Sequence, residues 1–340
     1  MADWAELSPG DQRELLLVAA AQIGRDPAIL EKDLWVVWTL AWLGGSPWAD
    51  DLVFKGGTSL SKVHRAIDRF SEDIDLTYDI RRLVKGAPQG NPDPLPASRS
   101  QASKWTDEAR DGLRDWLGNQ LVPALQSAAV GVAAQVGREG EDVLLRYQTV
   151  LEGAPAYLRT AVKLEFGGRA TGEPADHAVV TCDLAAAAPD EFGLPQARIR
   201  TMSSARTFWE KVTAMHVHCG QTRPPAERFA RHWFDVACLH RAGLASAALV
   251  DRALAGMVVE HKRAFFAPSA KYGSVDLGEC LDGRLRILPS EEAGEELRRD
   301  YEAMLDAGYL WGWRPGWDEV LTIIEAVEAD VNSAVTAAQA

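Results

Sequence analysis

The stretch Phe54 to Leu76, FKGGTSLSKVHRAIDRFSEDIDL, sets a turn of glycines and hydroxyls fifteen residues ahead of two aspartates separated by one isoleucine. Side chains alternate along a strand, so Asp73 and Asp75 share one face while Ile74 and Leu76 point into a core. Two hard oxygen donors so placed suit Mg²⁺, which is commonly held by one or two carboxylates together with substrate phosphates. Upstream, Gly56 and Gly57 let the backbone approach a phosphate closely. Thr58 and Ser59 are expected to cap a helix there, turning its positive end toward an anion. Taken singly, an Asp-x-Asp pair is more often solvated and Gly-Gly-Thr more often a plain turn. Order and spacing together carry the reading.

The chain around this stretch has 340 residues, enough for two domains or one extended domain. With 47% apolar and 25% charged residues it has the composition of a soluble globular protein. The longest apolar run, Leu34 to Leu43, is far too short for a membrane span, so no membrane partner is expected. Asp3 and Glu6 stand where a signal peptide would be basic, and a cytoplasmic location is expected. The four cysteines, Cys182, Cys219, Cys238 and Cys280, are scattered without the spacing of a disulfide framework or a zinc site. His216, His218 and Cys219 lie close together, but their spacing fits no common metal motif.

A net charge of −13 argues against nonspecific nucleic-acid binding. One segment runs against that average. From Arg198 to His232 there are seven basic residues (Arg198, Arg200, Arg206, Lys211, Arg223, Arg228, Arg231) and two acidic ones, Glu210 and Glu227. Such a segment suits a triphosphate or an RNA end, or else forms a solvated arginine-rich surface.

Ser8-Pro9 and Asp26-Pro27 each place a capping side chain before a proline, so two short helices are expected to open the chain, the second ending at Gly44-Gly45. Trp35, Trp38 and Trp42 recur at helical spacing as a core-facing stripe. Leu52 to Phe54 reads as a buried strand, Ser59 to Ile67 as a helix and Phe70 to Tyr78 as the strand of the aspartates. Lys85 to Ser103 holds four prolines and little that could be buried, which predicts a loop. A helix from Trp105 to Val130 follows, with Leu113, Trp116, Leu117, Leu121 and Leu125 on its apolar side. Three strand-like runs come next: Val143 to Val150, Ala161 to Phe166 and Ala178 to Leu184. Beyond Arg200 the pattern is helical almost to the end, so the fold class expected is α+β with a boundary near Arg200.

In order and spacing the first motif resembles the DNA polymerase β-like nucleotidyltransferases, and more closely the AbiEii/AbiGii toxin family. ARTFWEKVTAMH (Ala205 to His216) and RHWFDVACL (Arg231 to Leu239) are similar to that family's later motifs. EKDLW (Glu31 to Trp35) and KRAFFAPSAKYG have its character too, so the likeness spans roughly Ile29 to Met304. It implies a polymerase β-like core with a mixed sheet over residues 1–200, and a mainly helical part over residues 201–340 that contributes Lys211 and Asp235 to the site.

Glu165 in VKLEF alternates with apolar residues. It matches the third acidic position of such enzymes, where it would help hold a metal or accept a proton, or it forms an exposed charged pair with Lys163. Lys211 flanks the buried stripe of Phe208, Val212 and Met215 on a helix capped by Ser203 or Ser204, and a half-buried lysine needs an anionic partner. The family's lysine here contacts nucleotide phosphates; the plain reading is a solvated lysine. Arg228, Arg231, His232 and Asp235 fall on one helical stripe. That stripe is either an Arg231–Asp235 ion pair or a catalytic wall in which Asp235 positions Lys211 or a substrate hydroxyl while arginines bind phosphate. The resemblance implies the second. Ser71, Arg69 and Lys62 complete the expected nucleotide-binding set with Gly56, Gly57, Thr58, Ser59, Lys211 and Arg231. Glu72 adds a negative charge on the opposite face of the strand and has no functional reading from sequence.

The expected activity is transfer of a nucleoside monophosphate from an NTP to an acceptor hydroxyl, with two Mg²⁺ ions at Asp73 and Asp75. The resemblance implies the 3′ end of tRNA as acceptor and the role of toxin in a bacterial toxin–antitoxin or phage-defence pair, with a cognate antitoxin protein. The alternatives are an enzyme that transfers AMP to protein, and a catalytically silent nucleotide-binding module.

Overall fold

A computed structural model describes residues 2–152, 159–187, 192–222, 224–225, 227–266 and 275–339. The chain folds as two units, one formed by residues 1–63, 70–86 and 107–201 and the other by residues 64–69, 87–106 and 202–340. Among the described residues no helix is long and apolar enough to cross a membrane.

The first unit opens with α1 (Pro9–Ile23) and α2 (Pro27–Gly44). Each starts where its cap requires: Ser8 accepts the N–H of Asp11, Asp26 accepts that of Ala28, and a proline follows both caps. Its strands are β1 (Ala2–Asp3), β2 (Leu52–Lys55), β3 (Asp73–Tyr78), β4 (Ala134–Glu139), β5 (Asp142–Tyr147), β6 (Ala161–Gly167), β7 (Ala175–Thr181), β8 (Phe192–Gly193) and β9 (Gln196–Met202). β1 and β8 form a small parallel pair, and the others make a mixed seven-stranded sheet in the order β4-β5-β6-β3-β2-β9-β7. β3 lies between β2, antiparallel, and β6, parallel. On one side of this sheet Leu52, Phe54, Ile74, Leu76, Val162, Leu164, Val143 and Leu145 join Leu30, Leu34, Val37 and Leu40 of α2 in the main core. Trp35 lies flat on Tyr147 with ring centres 5.1 Å apart, and Tyr78 stacks on Trp116 at 4.1 Å. Alternation therefore sends Asp73 and Asp75 to the other side.

Three local expectations change. The helix after the glycines, α3 (Gly56–Lys62), stops before Ile67. Ile67 is buried in the second unit, and Arg65 takes a left-handed φ of 49° on the way there. The aspartate strand starts at Asp73 because Arg69 bridges Leu310 and Phe70 is buried outside the ladder. β4, reading AQVGRE, carries almost no apolar signal because only Ala134 in it is buried. Past the short α4 (Ile80–Leu83), the expected long helix is present as α5 (Arg99–Trp116), a π-helical turn at Leu117–Leu121, and α6 (Val122–Val130).

The second unit is helical: α7 (Ser204–Cys219), α8 (Arg231–Arg241), α9 (Leu244–Val250), α10 (Arg252–Phe265), α11 (Glu291–Asp306) and α12 (Trp317–Gln339). Its core holds Phe208, Trp209, Trp233, Phe234 and Tyr301, and the polar ends of the large rings are satisfied. Trp209 donates to the Ala248 carbonyl at 3.0 Å, Trp233 to that of Ile287 at 2.8 Å, and the Tyr301 hydroxyl to that of Pro315 at 2.8 Å. The proline-rich loop is less idle than its composition suggests, since Asp93 is buried within this unit 3.6 Å from the equally buried Arg206. All four cysteines are free thiols.

Candidate active site

In the first unit the register aligns Lys55 with Asp75, Asp73 with Lys163 and Asp75 with Glu165. Residues directly opposed on neighbouring strands point to the same side, so one face of the sheet carries Lys55, Asp73, Asp75, Lys163 and Glu165. Asp73 and Asp75 are half-buried there, as alternation required. Gly56 has φ 78°, and a Cβ built on it would fall 1.9 Å from Asp75 Oδ2. The glycine thus makes room for the carboxylate itself, and only a residue without Cβ fits this backbone. Oxygen donors in such a cradle fit a hard divalent cation. Among the described residues no cluster of three or more His, Cys, Asp or Glu side chains is arranged to hold a metal. A cation at the pair would therefore draw other ligands from water or phosphate.

Thr58 and Ser59 are buried and do not cap α3. The Thr58 hydroxyl donates to the Asp73 carbonyl at 2.5 Å and that of Ser59 to the Gly56 carbonyl at 2.9 Å, so both brace the turn and the strand. No side chain caps the first turn of α3, whose leading N–H groups have no intrahelical acceptor. Lys62 is drawn away from a nucleotide role. Its ammonium stands 2.6 Å from Asp33 and 2.8 Å from Asp183. Glu165 is paired with Lys163, which also lies 2.9 Å from Asp142. Burial works against the charge on Lys163, yet the two carboxylates outweigh it and hold its pKa above the usual range. Glu165 therefore forms the charged pair with Lys163 that one sequence reading gave it, and it lies opposite Asp75 on the neighbouring strand. Ser71 offers its carbonyl to Thr58 at 3.3 Å. Lys55, missed from sequence, precedes the glycines directly and faces the strand position of Asp75; its signal was the Lys-Gly-Gly order.

In the second unit, Asp235 is fully buried and bound by two cations. Arg69 donates to it in a two-pronged pair, Nε to Oδ1 at 2.7 Å and Nη2 to Oδ2 at 2.8 Å, and Lys211 Nζ lies 2.8 Å from Oδ2. Burial alone would raise the Asp235 pKa; Arg69 and Lys211 outweigh it and hold the carboxyl far below its ordinary value. Burial lowers the pKa of Lys211, Asp235 offsets part of that, and Arg69 adds to it. The Arg231–Asp235 pair is replaced by these contacts. The sequence reading placed Arg69 among the nucleotide-binding residues and did not pair it with Asp235, because the two are 166 positions apart. Arg228 lies before α8 with φ 57° and is exposed.

The cationic segment disperses into separate contacts. Arg200 pairs with Glu173, Arg206 with Asp93 and Glu210, and Arg198 is exposed on β9, while Arg223 lies outside the described residues. His216 and His218 are buried, each with a ring nitrogen at a backbone carbonyl.

Four histidines of the second unit, His64, His216, His218 and His232, are held below their ordinary pKa by burial, His232 furthest, with Lys211 and Arg231 adding to the effect. The unfolded chain takes up these protons near pH 6.5, the folded chain only at lower pH. Their stabilisation is therefore complete above pH 6.5 and is lost as pH falls through the folded values. The melting temperature is expected to drop by at least about 3 °C between pH 7.5 and 5.5, roughly 1 kcal/mol. An unchanged midpoint in calorimetry would contradict this account.

A family model described as nucleotidyl transferase AbiEii toxin, type IV toxin–antitoxin system, matches residues 40–322. No curated protein sequence matches the chain. Among solved structures, MenT4, a nucleotidyltransferase toxin from Mycobacterium tuberculosis H37Rv, is similar at 17% identity and a TM-score of 0.42, with 97% of this chain and 99% of that one covered.

Proposed function

Because the chain belongs to the AbiEii family of nucleotidyltransferase toxins of type IV toxin–antitoxin systems, we propose that it moves a nucleoside monophosphate from an NTP to a hydroxyl at the 3′ end of tRNA. The observation that carries this reading is the same-face pair Asp73 and Asp75 beside a glycine turn cut to fit one of them. The acceptor oxygen attacks the α-phosphorus, the bond to the bridging oxygen breaks, and pyrophosphate leaves. Asp73 and Asp75 would hold Mg²⁺, two ions in the full site, which supplies acidification of the acceptor and neutralisation of charge on the leaving group. Lys55 and the amides of Gly56 and Gly57 bind phosphate. Thr58 and Ser59 keep the turn in shape, and Glu165 orients the acceptor. In the second unit Lys211, Arg231 and Asp235 match the family's later motifs, and Asp235 fixes the Lys211 ammonium. The family implies a cognate antitoxin and a part in phage defence.

The test is transfer of label from each of the four common NTPs to total tRNA and to cell protein, with and without Mg²⁺. Label on tRNA that requires Mg²⁺ is expected. Label on protein alone would make the enzyme a protein-modifying nucleotidyltransferase, and no label in either pool would leave a silent binding module. Gly56→Ala is expected to slow transfer by about 100-fold, because the new Cβ displaces the Asp75 carboxylate and meets a backbone conformation that disfavours alanine. Transfer within threefold of the unaltered protein would show that this contact is unimportant.

A further inference from the structure

Glu31, Lys32 and Asp33 are three consecutive charged residues of α2, and all three are buried. Successive helical residues point about 100° apart, so these side chains leave α2 over an arc of roughly 200° and each is enclosed by a different segment. Glu31 accepts the Thr149 hydroxyl at 2.6 Å and the Val150 N–H at 2.8 Å. Asp33 accepts the Asp183 N–H at 2.6 Å and pairs with Lys62. Lys32 pairs with Glu72 and donates to the Arg159 carbonyl at 3.0 Å. Glu72 is the residue immediately before Asp73, and Phe70 to Glu72 lie outside the ladder that fixes β3. Where the chain enters β3, the Thr58 hydroxyl reaches the Ser71 and Asp73 carbonyls and Lys32 holds the Glu72 side chain.

We propose that Lys32 is a positioning residue that, by gripping Glu72, fixes how the chain enters β3 and so orients Asp73 and Asp75 toward a divalent cation. This rests on the reading of that pair as the metal ligands. It gives Glu72 a purpose: its carboxylate points away from the cation face and into the helix behind it. Lys32 touches neither substrate nor cation and acts only through the backbone shared by Glu72 and Asp73.

The test uses the full chain with Mn²⁺ as probe, its affinity measured by electron paramagnetic resonance without nucleotide, alongside thermal midpoints and the kcat and KM of transfer. Lys32→Met is expected to lower the midpoint and weaken Mn²⁺ binding about 10-fold, the size of effect usual for groups that orient metal ligands, with KM for NTP within about twofold. Lys32→Arg is expected to recover most of that affinity. The double variant Lys32→Met/Glu72→Gln contains no unpaired buried charge, so its midpoint returns toward that of the unaltered protein while Mn²⁺ affinity stays low. Affinity that recovers together with the midpoint, or that never falls in Lys32→Met, overturns the proposal and leaves the pair a purely structural one. If the unaltered protein transfers no nucleotide while Mn²⁺ follows the expected pattern, the transfer reading fails and the positioning role stands. Asp75→Asn binding Mn²⁺ as tightly as the unaltered protein would overturn both.

Discussion

Asp75→Asn is expected to lower kcat for nucleotide transfer by roughly 10³-fold or more, about 4 kcal/mol of transition-state stabilisation, while the protein remains folded. Asparagine keeps the shape that Gly56 accommodates, where a Cβ would sit 1.9 Å from the carboxylate oxygen, so packing is undisturbed. What is removed is the negative charge. Asp73 and Glu165 share this face of the sheet with Lys55 and Lys163, so the loss of one acid trades repulsion against attraction and the thermal midpoint changes little. Activity lost while stability holds is what separates a chemical role from a structural one. Label transfer by the variant at more than a tenth of the normal rate would dismiss Asp75 from the chemistry.

The second large effect is on stability. Asp235→Ala removes the carboxylate held by Arg69 and Lys211, all three of them buried, and leaves two like charges without their anion. Breaking a buried ion pair from one side costs about 3–5 kcal/mol, and urea denaturation should show a loss of that size. Adding Lys211→Met to Asp235→Ala removes one of the two stranded cations and is expected to recover about half of the stability. The depressed Asp235 carboxyl also fixes a pH dependence. Its stabilisation is complete above the ordinary carboxylate range near pH 4 and disappears only as pH falls toward the folded value. Asp235→Ala should therefore flatten the acid limb of the stability profile below about pH 4 and leave the histidine limb near pH 6 in place. A loss under about 1 kcal/mol would mean that Arg69 and Lys211 find other anions, and the cluster would then be no constraint on the fold.

What the sequence disclosed depended on the separation of the residues concerned. Alternation in DIDL and the caps at Ser8, Asp26 and Ser203 are decided within a few residues, and the structure has all of them. Lys211 was readable as a lysine in need of an anion because it borders an apolar stripe on its own helix. Its partner within the same motif pair, Asp235, was among the options weighed. Arg69, Lys62 and Glu72 were opaque for the opposite reason. Each is committed to a residue supplied by the tertiary fold, 166, 121 and 40 positions away. Thr58 and Ser59 were expected to face a phosphate, but both hydroxyls go to backbone carbonyls, a choice that depends on where β3 comes to lie. The basic run from Arg198 to His232 resembled one surface in composition, yet Arg200 and Arg206 are each matched by an acid of distant sequence. Linear charge density does not report such pairing.

The division of the chain at 63/64, 69/70, 86/87, 106/107 and 201/202 has a consequence for how the polypeptide comes into being. Arg69 is synthesised early and Asp235 late, so the helical unit cannot complete its ionic centre until the ribosome has passed well beyond β9. Prematurely terminated products lack that centre, and dissection at the end of the sheet strands residues 64–69 and 87–106 without the elements they pack with.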